Sequence, residues 1–365
     1  MNNRNKIQTE CLDTIVQHHR CTAAVSMGVG KTRIALMHLH NFYKPGMKAL
    51  VVVPKLSIIN SWVEEIEKTE LHHLTDCIDY STYKSINKKD NIYDIVYLDE
   101  CHNILGSHIP FLSGHKGRIL GLTGTPPRNK NSEKYRLVNI YCPVKYKFNV
   151  DKATDSNILN DYRIIIHEIN LSNLTTLKKK RKDGRHWFTS EVKDYEYVTK
   201  RFNEARPGKD QQIAAVMRMK ALQSYTSKEF YAKDLLSNIS DKCIVFANTH
   251  KQADKMCSHS YHSSNPKSEE NLQLFSDGRI DKLSCVLQLS EGVTIPNLKQ
   301  GIIMHAYGNE RKSAQRIGRL LRLNPTETSI CHILCYKGTK DEQWVKSALH
   351  DFDQNKIEYY NPLEI

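Results

Sequence analysis

The sequence predicts two tandem α/β domains, each a mostly parallel sheet with helices on both faces. Three observations lead there. The 365 residues exceed what one ordinary core organises. Short apolar, β-branched runs recur through both halves, separated by segments of helical periodicity, as in sheets covered on both faces. The residues suited to chemistry stand directly after those runs, where ligands of such sheets bind.

The first domain is expected over residues 1–150 and opens with a short strand at 22–25. A helix follows the loop 26–32, with Ala35, Leu39 and Phe42 facing inward. Residues 48–53 (KALVVV) form a buried strand stopped by Pro54, and Ile59, Trp62, Val63 and Ile66 mark one apolar helix face. Strands are expected at 93–98 and 118–123. The second domain, residues 151–365, repeats the pattern at 242–247, 284–289, 300–305 and 329–335. Residues 170–240 read as long helices plus one odd segment: the run 178–185, with six basic residues and one acidic, followed by Trp187 and Phe188. A helix around Trp344, Val345 and Leu349 is core.

Charge and cysteine usage narrow the function classes. The chain carries 53 Lys+Arg against 40 Asp+Glu, a formal net charge of +13 and a pI near 9.1, which favours a polyanionic partner. No apolar run reaches the roughly 18–20 residues that span a bilayer, and the first residues do not read as a secretory signal. The ten cysteines contain no CxxC pair, which argues against a zinc ribbon or a disulfide framework. His18-His19 and His72-His73 lack metal-ligand spacing and read as surface residues. A soluble protein of a reducing, intracellular compartment is the expectation.

Ser26-Met-Gly-Val-Gly-Lys-Thr32 joins a strand to a helix. Gly28 and Gly30 let the backbone curl so that its N–H groups, with those of Met27 and Val29, face phosphate oxygens. The helix N-terminus adds its positive dipole end. Lys31 would reach the β- and γ-phosphates and the Thr32 hydroxyl would ligate Mg²⁺. Both strict glycine patterns fail, one at Val25 and the other at Arg33. Asp99-Glu100-Cys101-His102 follows the strand 93–98 directly, placing Asp99 to hold the metal and Glu100 to polarise an attacking water. Arg316, Arg319 and Arg322 recur every third residue, so adjacent pairs share a helix face and could clamp a phosphate.

In this order the motifs resemble those of superfamily 2 helicases and translocases, a likeness that covers most of the chain. Residues 26–32 resemble motif I and residues 99–102 motif II in its DExH form, 68 positions after Lys31. Leu122-Thr-Gly-Thr-Pro-Pro127 is similar to motif III, residues 290–296 to motif V, and residues 313–322 to motif VI. The resemblance implies two RecA-like domains and the cofactors ATP and Mg²⁺. It makes Arg319 and Arg322 arginine-finger candidates, gives Gln315 and Gly292 places at the nucleotide, and makes Gln8, 23 positions before Lys31, an adenine reader. The family's usual arginine three positions before that glutamine is Asn5 here, with Arg4 beside it. Cys101 is a small residue in a family slot, not a nucleophile.

By resemblance, nucleic-acid backbone contacts fall on Lys55 and Ser57, Ser81 and Thr82, Asn248 and Thr249, and Thr294; each Ser or Thr is equally suited to a turn or helix cap. DECH, Thr-Gly-Thr and Gln315 depart from the DEAD-box RNA pattern. The segment 51–68 looks like that of chromatin-remodelling motors and phage branch-migration helicases. DNA is thus favoured over RNA. The implied activity is an ATP-dependent helicase or translocase. Open beside it are a duplex translocase that never separates strands, an RNA helicase, and a nucleotide-gated binding factor with slow hydrolysis. The run 178–185 is either a hairpin that grips nucleic acid or a flexible charged loop. The resemblance further implies a monomer with a protein partner for target selection, away from membranes, in a cell that includes a phage-infected host.

Overall fold

The computed structural model describes residues 3–362 except 27, 181–182, 287–294, 306–326 and 351. The chain forms two compact units, the first running to Asp161 and the second starting at Tyr162.

The first unit is built on six strands: β1 (Arg20–Val25), β2 (Ala49–Val53), β3 (Ile78–Thr82), β4 (Ile95–Asp99), β5 (Arg118–Thr123) and β6 (Val144–Phe148). They lie in the order β3-β2-β4-β5-β1-β6, and every pairing is parallel. All residues of β2 and β4 are buried, which is why these strands read as unbroken apolar runs rather than alternating ones. The edge strand β6 instead alternates, with Tyr146 and Phe148 buried and Lys145 and Lys147 exposed; lysines of this kind protect a sheet edge. Helices α1 (Asn3–Ile15), α2 (Lys31–Phe42), α3 (Ile59–Thr69), α4 (Ile109–Gly114), α5 (Glu133–Tyr141) and α6 (Val150–Asp155) complete the unit.

Two expectations shift here. On α3 only Trp62 and Ile66 are buried, while Val63 is 46% exposed. The indole fills the space against Tyr97 and leaves the helix a narrower inner stripe than its apolar periodicity suggested. The first unit also continues past residue 150. Asn3 Nδ2 donates to the Ser156 carbonyl at 2.9 Å, and Leu159, buried, lies against Gly28. The chain thus returns over its own glycine loop before leaving.

The second unit carries β7 (Asp161–Ile169), β10 (Cys243–Ala247), β11 (Ser260–Tyr261), β12 (Lys282–Val286), β13 (Gln300–Ile303), β14 (Thr328–Tyr336) and β15 (Ile357–Tyr360) in the order β11-β12-β10-β13-β14-β7-β15. The pairings of β10 with β12 and β13, of β11 with β12, of β13 with β14 and of β15 with β7 are parallel. Between β7 and β10 the chain makes an antiparallel hairpin of β8 (Leu177–Lys180) and β9 (His186–Thr189), then helices α7 (Glu191–Glu204), α8 (Lys209–Ser224) and α9 (Thr226–Asn238). Helices α10 (His250–Met256), α11 (Ser268–Ser276) and α12 (Lys340–Leu349) follow. The described residues of the basic run begin in one paired strand of a hairpin and end at the other, Lys178–Lys180 standing opposite His186–Phe188. Val345 and Leu349 of α12 are buried, and Trp344 packs on the same core as Tyr225 and Tyr336.

Candidate functional site at the carboxyl edge of the first sheet

Because the six strands run parallel, their carboxyl ends share one edge. The loops after β1, β4 and β5, which are neighbours in the order β4-β5-β1, bring the glycine loop, the acidic pair and Thr123 together. Gly28 and Gly30 both adopt positive φ, at 85° and 101°, the left-handed region that side chains resist. A methyl group at Gly30 would come within 2.5 Å of Gln8 Nε2. Gly30 ends the loop at the first turn of α2, whose leading residues are Lys31 and Thr32.

Lys31 Nζ lies 3.2 Å from Glu100 Oε1. Glu100 itself holds a left-handed backbone, φ 50° and ψ 57°, an uncommon conformation for a non-glycine residue that turns its carboxylate back toward α2. Its second oxygen accepts from the Thr123 hydroxyl at 3.0 Å, and His102 Nδ1 sits 3.3 Å away. The Thr123 oxygen is also 3.0 Å from His102 Nδ1 and accepts from Thr125 N–H at 3.1 Å. The segment resembling motif III is thus tied to the acidic pair through one hydroxyl. Asp99 accepts from Trp62 Nε1–H at 3.3 Å, and the Tyr83 hydroxyl donates to its carbonyl at 2.9 Å.

Burial pushes the Asp99 carboxyl up to about 6, reinforced by Glu100 and opposed by Lys31 and the Trp62 N–H. Burial alone would raise Glu100 as well, but Lys31, His102 and Thr123 outweigh it and hold its carboxyl below the ordinary value. Two adjacent carboxylates are therefore separated by their surroundings. Glu100 stays ionised, while Asp99 is costly to ionise without a nearby positive charge.

The donor set fits a polyphosphate and a divalent cation. Ser26 Oγ is buried and, among the described residues, unpartnered; the Thr125 hydroxyl is likewise unpartnered. With Lys31 and a helix N-terminus, these are groups that an anion satisfies. Asp99 and Thr32 supply the oxygen ligands that Mg²⁺ prefers. Cys101, beside them, is fully buried, and its thiol is raised well above the ordinary value by its contact with Cys142 and by burial; it is no nucleophile. All ten cysteines are free. Among the described residues no His/Cys/Asp/Glu cluster suits a metal, and no helix is long and apolar enough to cross a membrane.

Gln8, buried in α1, donates to the Val29 carbonyl at 2.7 Å, and Arg4 Nε donates to the same oxygen at 3.1 Å. Sequence spacing against the family pattern missed Arg4. The available signal was its i, i+4 relation to Gln8, which puts both side chains on one helix face. Asn5, at the family position, is i, i+3 from Gln8 and shares that face as well, but it is the Arg4 side chain that reaches the Val29 carbonyl.

The nucleic-acid candidates fall into separate environments. Lys55 and Ser57, after β2, are exposed. Thr82, at the end of β3, is half-buried and donates to Ser85 Oγ at 3.5 Å, whereas Ser81 is buried. Asn248, after β10, donates to Gln223 Oε1 at 2.8 Å. Thr249 caps α10, accepting from Gln252 N–H at 3.2 Å. Met27, Gly292, Thr294, Gln315, Arg319 and Arg322 lie outside the described residues.

Comparison with known proteins agrees with this geometry. The family model described as "Type III restriction enzyme, res subunit" matches residues 2–128, and "Helicase conserved C-terminal domain" matches 227–324. The DNA 3'-5' translocase XPB2 of Sulfurisphaera tokodaii is 25% identical over 368 residues, covering 92% of this chain and 82% of that protein. Three solved structures share the fold. The DNA-bound Type ISP restriction-modification enzyme LlaBIII has a TM-score of 0.63 at 13% identity; the match covers 99% of this chain, which spans only 31% of that enzyme. The Pyrococcus furiosus Hef helicase domain has a TM-score of 0.53 at 15% identity, covering 95% of this chain and 97% of that one. S. cerevisiae Dbp5 bound to RNA and ADP BeF3 has a TM-score of 0.55 at 12% identity, covering 94% of this chain and 85% of that one. With a glycine loop, a DExH pair and a hydroxyl link to the following segment on one RecA-like sheet, and a helicase C-terminal match in the next unit, the chain belongs to the superfamily 2 helicases and translocases.

Proposed function

We propose that this protein is an ATP-dependent DNA translocase or helicase that couples hydrolysis to movement along nucleic acid. The observation that carries the reading is the grouping of Lys31 and Thr123 around Glu100 beside the glycine loop, each within hydrogen-bond reach of its carboxylate. Lys31 holds the transferred phosphate's oxygens. Thr32 and Asp99 hold Mg²⁺, which when bound would neutralise charge on the phosphates. Glu100, kept ionised by its partners, orients and polarises water. Gln8, with Arg4, shapes the loop around Val29 and is, by resemblance, the proposed adenine reader. By resemblance Gln315 is the proposed nucleotide sensor and Arg319 and Arg322 the proposed arginine fingers, with Met27 and Gly292 as further proposed nucleotide contacts.

DNA is the proposed track. The sequence relative is named as a DNA translocase, and the net charge of +13 suits a polyanion. Lys55, Ser57, Ser81, Thr82, Asn248, Thr249 and Thr294 are the proposed backbone contacts. The same relative's name favours translocation without strand separation as the second reading. An intracellular monomer working with a protein partner for target selection completes the proposal.

Lys31→Ala and Glu100→Gln are each expected to lower DNA-stimulated ATP turnover at least a hundredfold while leaving DNA binding largely intact. Undiminished turnover in either variant refutes the assignment. A fork-unwinding assay run beside triplex displacement separates the two modes of movement.

A further inference from the structure

The hairpin between β7 and α7 has two chemically distinct faces. Its register pairs Lys178 with Phe188, Lys179 with Trp187 and Lys180 with His186. Side chains alternate along a strand, and directly opposed residues share a face. Lys178, Lys180, His186 and Phe188 therefore stand together, and all four are exposed, Phe188 by 58%. On the other face Trp187 is 41% exposed at the outer end, while the residues nearer α7 are committed to the protein. Leu177 packs on the core of the second unit, Thr189 is buried, and Lys179 Nζ reaches Asp194 Oδ2 at 2.7 Å. Asp194 is buried and also accepts from the Tyr225 hydroxyl at 3.0 Å. A buried carboxylate needs its cation, so Lys179 must face inward, and that choice turns Lys178 and Lys180 outward.

Among the described residues the outward charge lacks an acidic partner. Asp183, the run's one acidic residue, pairs with Arg185 at 2.7 Å. Among the described residues neither Lys178 nor Lys180 has a carboxylate partner. An exposed ring flanked by free lysines suits an unpaired, stacking base on a phosphate backbone; a duplex hides its base faces.

We infer that this face is a contact site for single-stranded nucleic acid, with Phe188 stacking on a base and Lys178 and Lys180 on adjacent phosphates. The inference rests on the nucleic-acid motor reading above and adds a site outside its motifs.

The test uses the full chain, a fluorescein-labelled 20-mer oligothymidine and a labelled duplex of equal length, with anisotropy titrations over a range of salt. Phe188→Ala is expected to weaken oligothymidine binding roughly fivefold or more and duplex binding far less, with Phe188→Trp retaining affinity. The pair Lys178→Gln and Lys180→Gln is expected to reduce the slope of log K against log salt by about 1.4 on the single strand. ATP turnover without nucleic acid should not change in any of these. Wild-type affinity and slope in the variants would overturn the inference, as would equal losses on duplex and single strand. Failure of the motor reading is separate: the wild-type chain would then neither hydrolyse ATP in response to DNA nor bind it.

Discussion

At the residue scale, Thr123 joins two parts of the site. Its hydroxyl donates to Glu100 and accepts from Thr125 N–H, so it aims the carboxylate. Thr123→Ala is expected to lower ATP turnover on the order of tenfold or more, the worth of a hydrogen bond to a charged group, with little change in KM for ATP; steady-state kinetics check this. Arg4 and Gln8 share the Val29 carbonyl and so act on the shape of the glycine loop. Arg4→Ala should therefore raise KM for ATP severalfold, and unchanged kinetics would mean that Gln8 suffices alone. Lys31, Asp99 and Glu100 were legible in the sequence because a glycine loop and an acidic pair after apolar strands have few other uses. The Glu100–Thr123 contact was not, because it joins residues 23 positions apart through a turn whose left-handed backbone no local pattern announces.

At the scale of elements, the second unit anchors its helical segment with buried charge. Lys228 of α9 is fully buried and pairs with Asp341 of α12, while its amine also donates to the Leu334 carbonyl of β14. Glu191 of α7 accepts from Ser227 N–H at 3.0 Å and from its hydroxyl at 2.5 Å, and the Ser227 and Tyr336 hydroxyls lie 2.9 Å apart. Removing one partner leaves the other charged without compensation. Lys228→Met is expected to destabilise the fold by about 3–5 kcal/mol, and adding Asp341→Leu should recover part of that loss; urea midpoints of the single and double variants decide it. The sequence read 170–240 as helical and the helices are there. Their anchoring was hidden, since a lysine and an aspartate 113 positions apart look like two surface charges.

Across the whole molecule, acid is expected to act through the second sheet. His332 Nε2–H donates to Gln300 Oε1 at 3.0 Å, which leaves its Nδ1 to accept from His167 Nε2–H at 2.9 Å. His167 Nδ1 then accepts from the Tyr231 hydroxyl at 2.7 Å. Every nitrogen in the chain is used by neutral rings, and a further proton would set donor against donor. Burial pushes His167 down to about 3, helped by His332, and His332 down to about 4. The unfolded chain takes up these protons near pH 6.5 and the folded chain only near 3–4, so stability falls as pH drops between those limits. At 1.36 kcal/mol per unit the loss is up to about 5 kcal/mol for His167 and about 3 kcal/mol for His332. Thermal midpoints from pH 7 to pH 4 should fall, less steeply in His332→Phe. By itself the sequence determined the α/β class, four strands of each unit's sheet, the glycine loop and the acidic pair. Those depend on hydrophobic period and on residue types at strand ends, which are local properties. Only the tertiary structure decided that Arg4 rather than Asn5 joins Gln8, that the first unit runs on to Asp161, and which hairpin face is outward. Each of these follows from a partner distant in sequence (Val29, Gly28 and Asp194, respectively), and a buried group's partner exists only once the chain has folded.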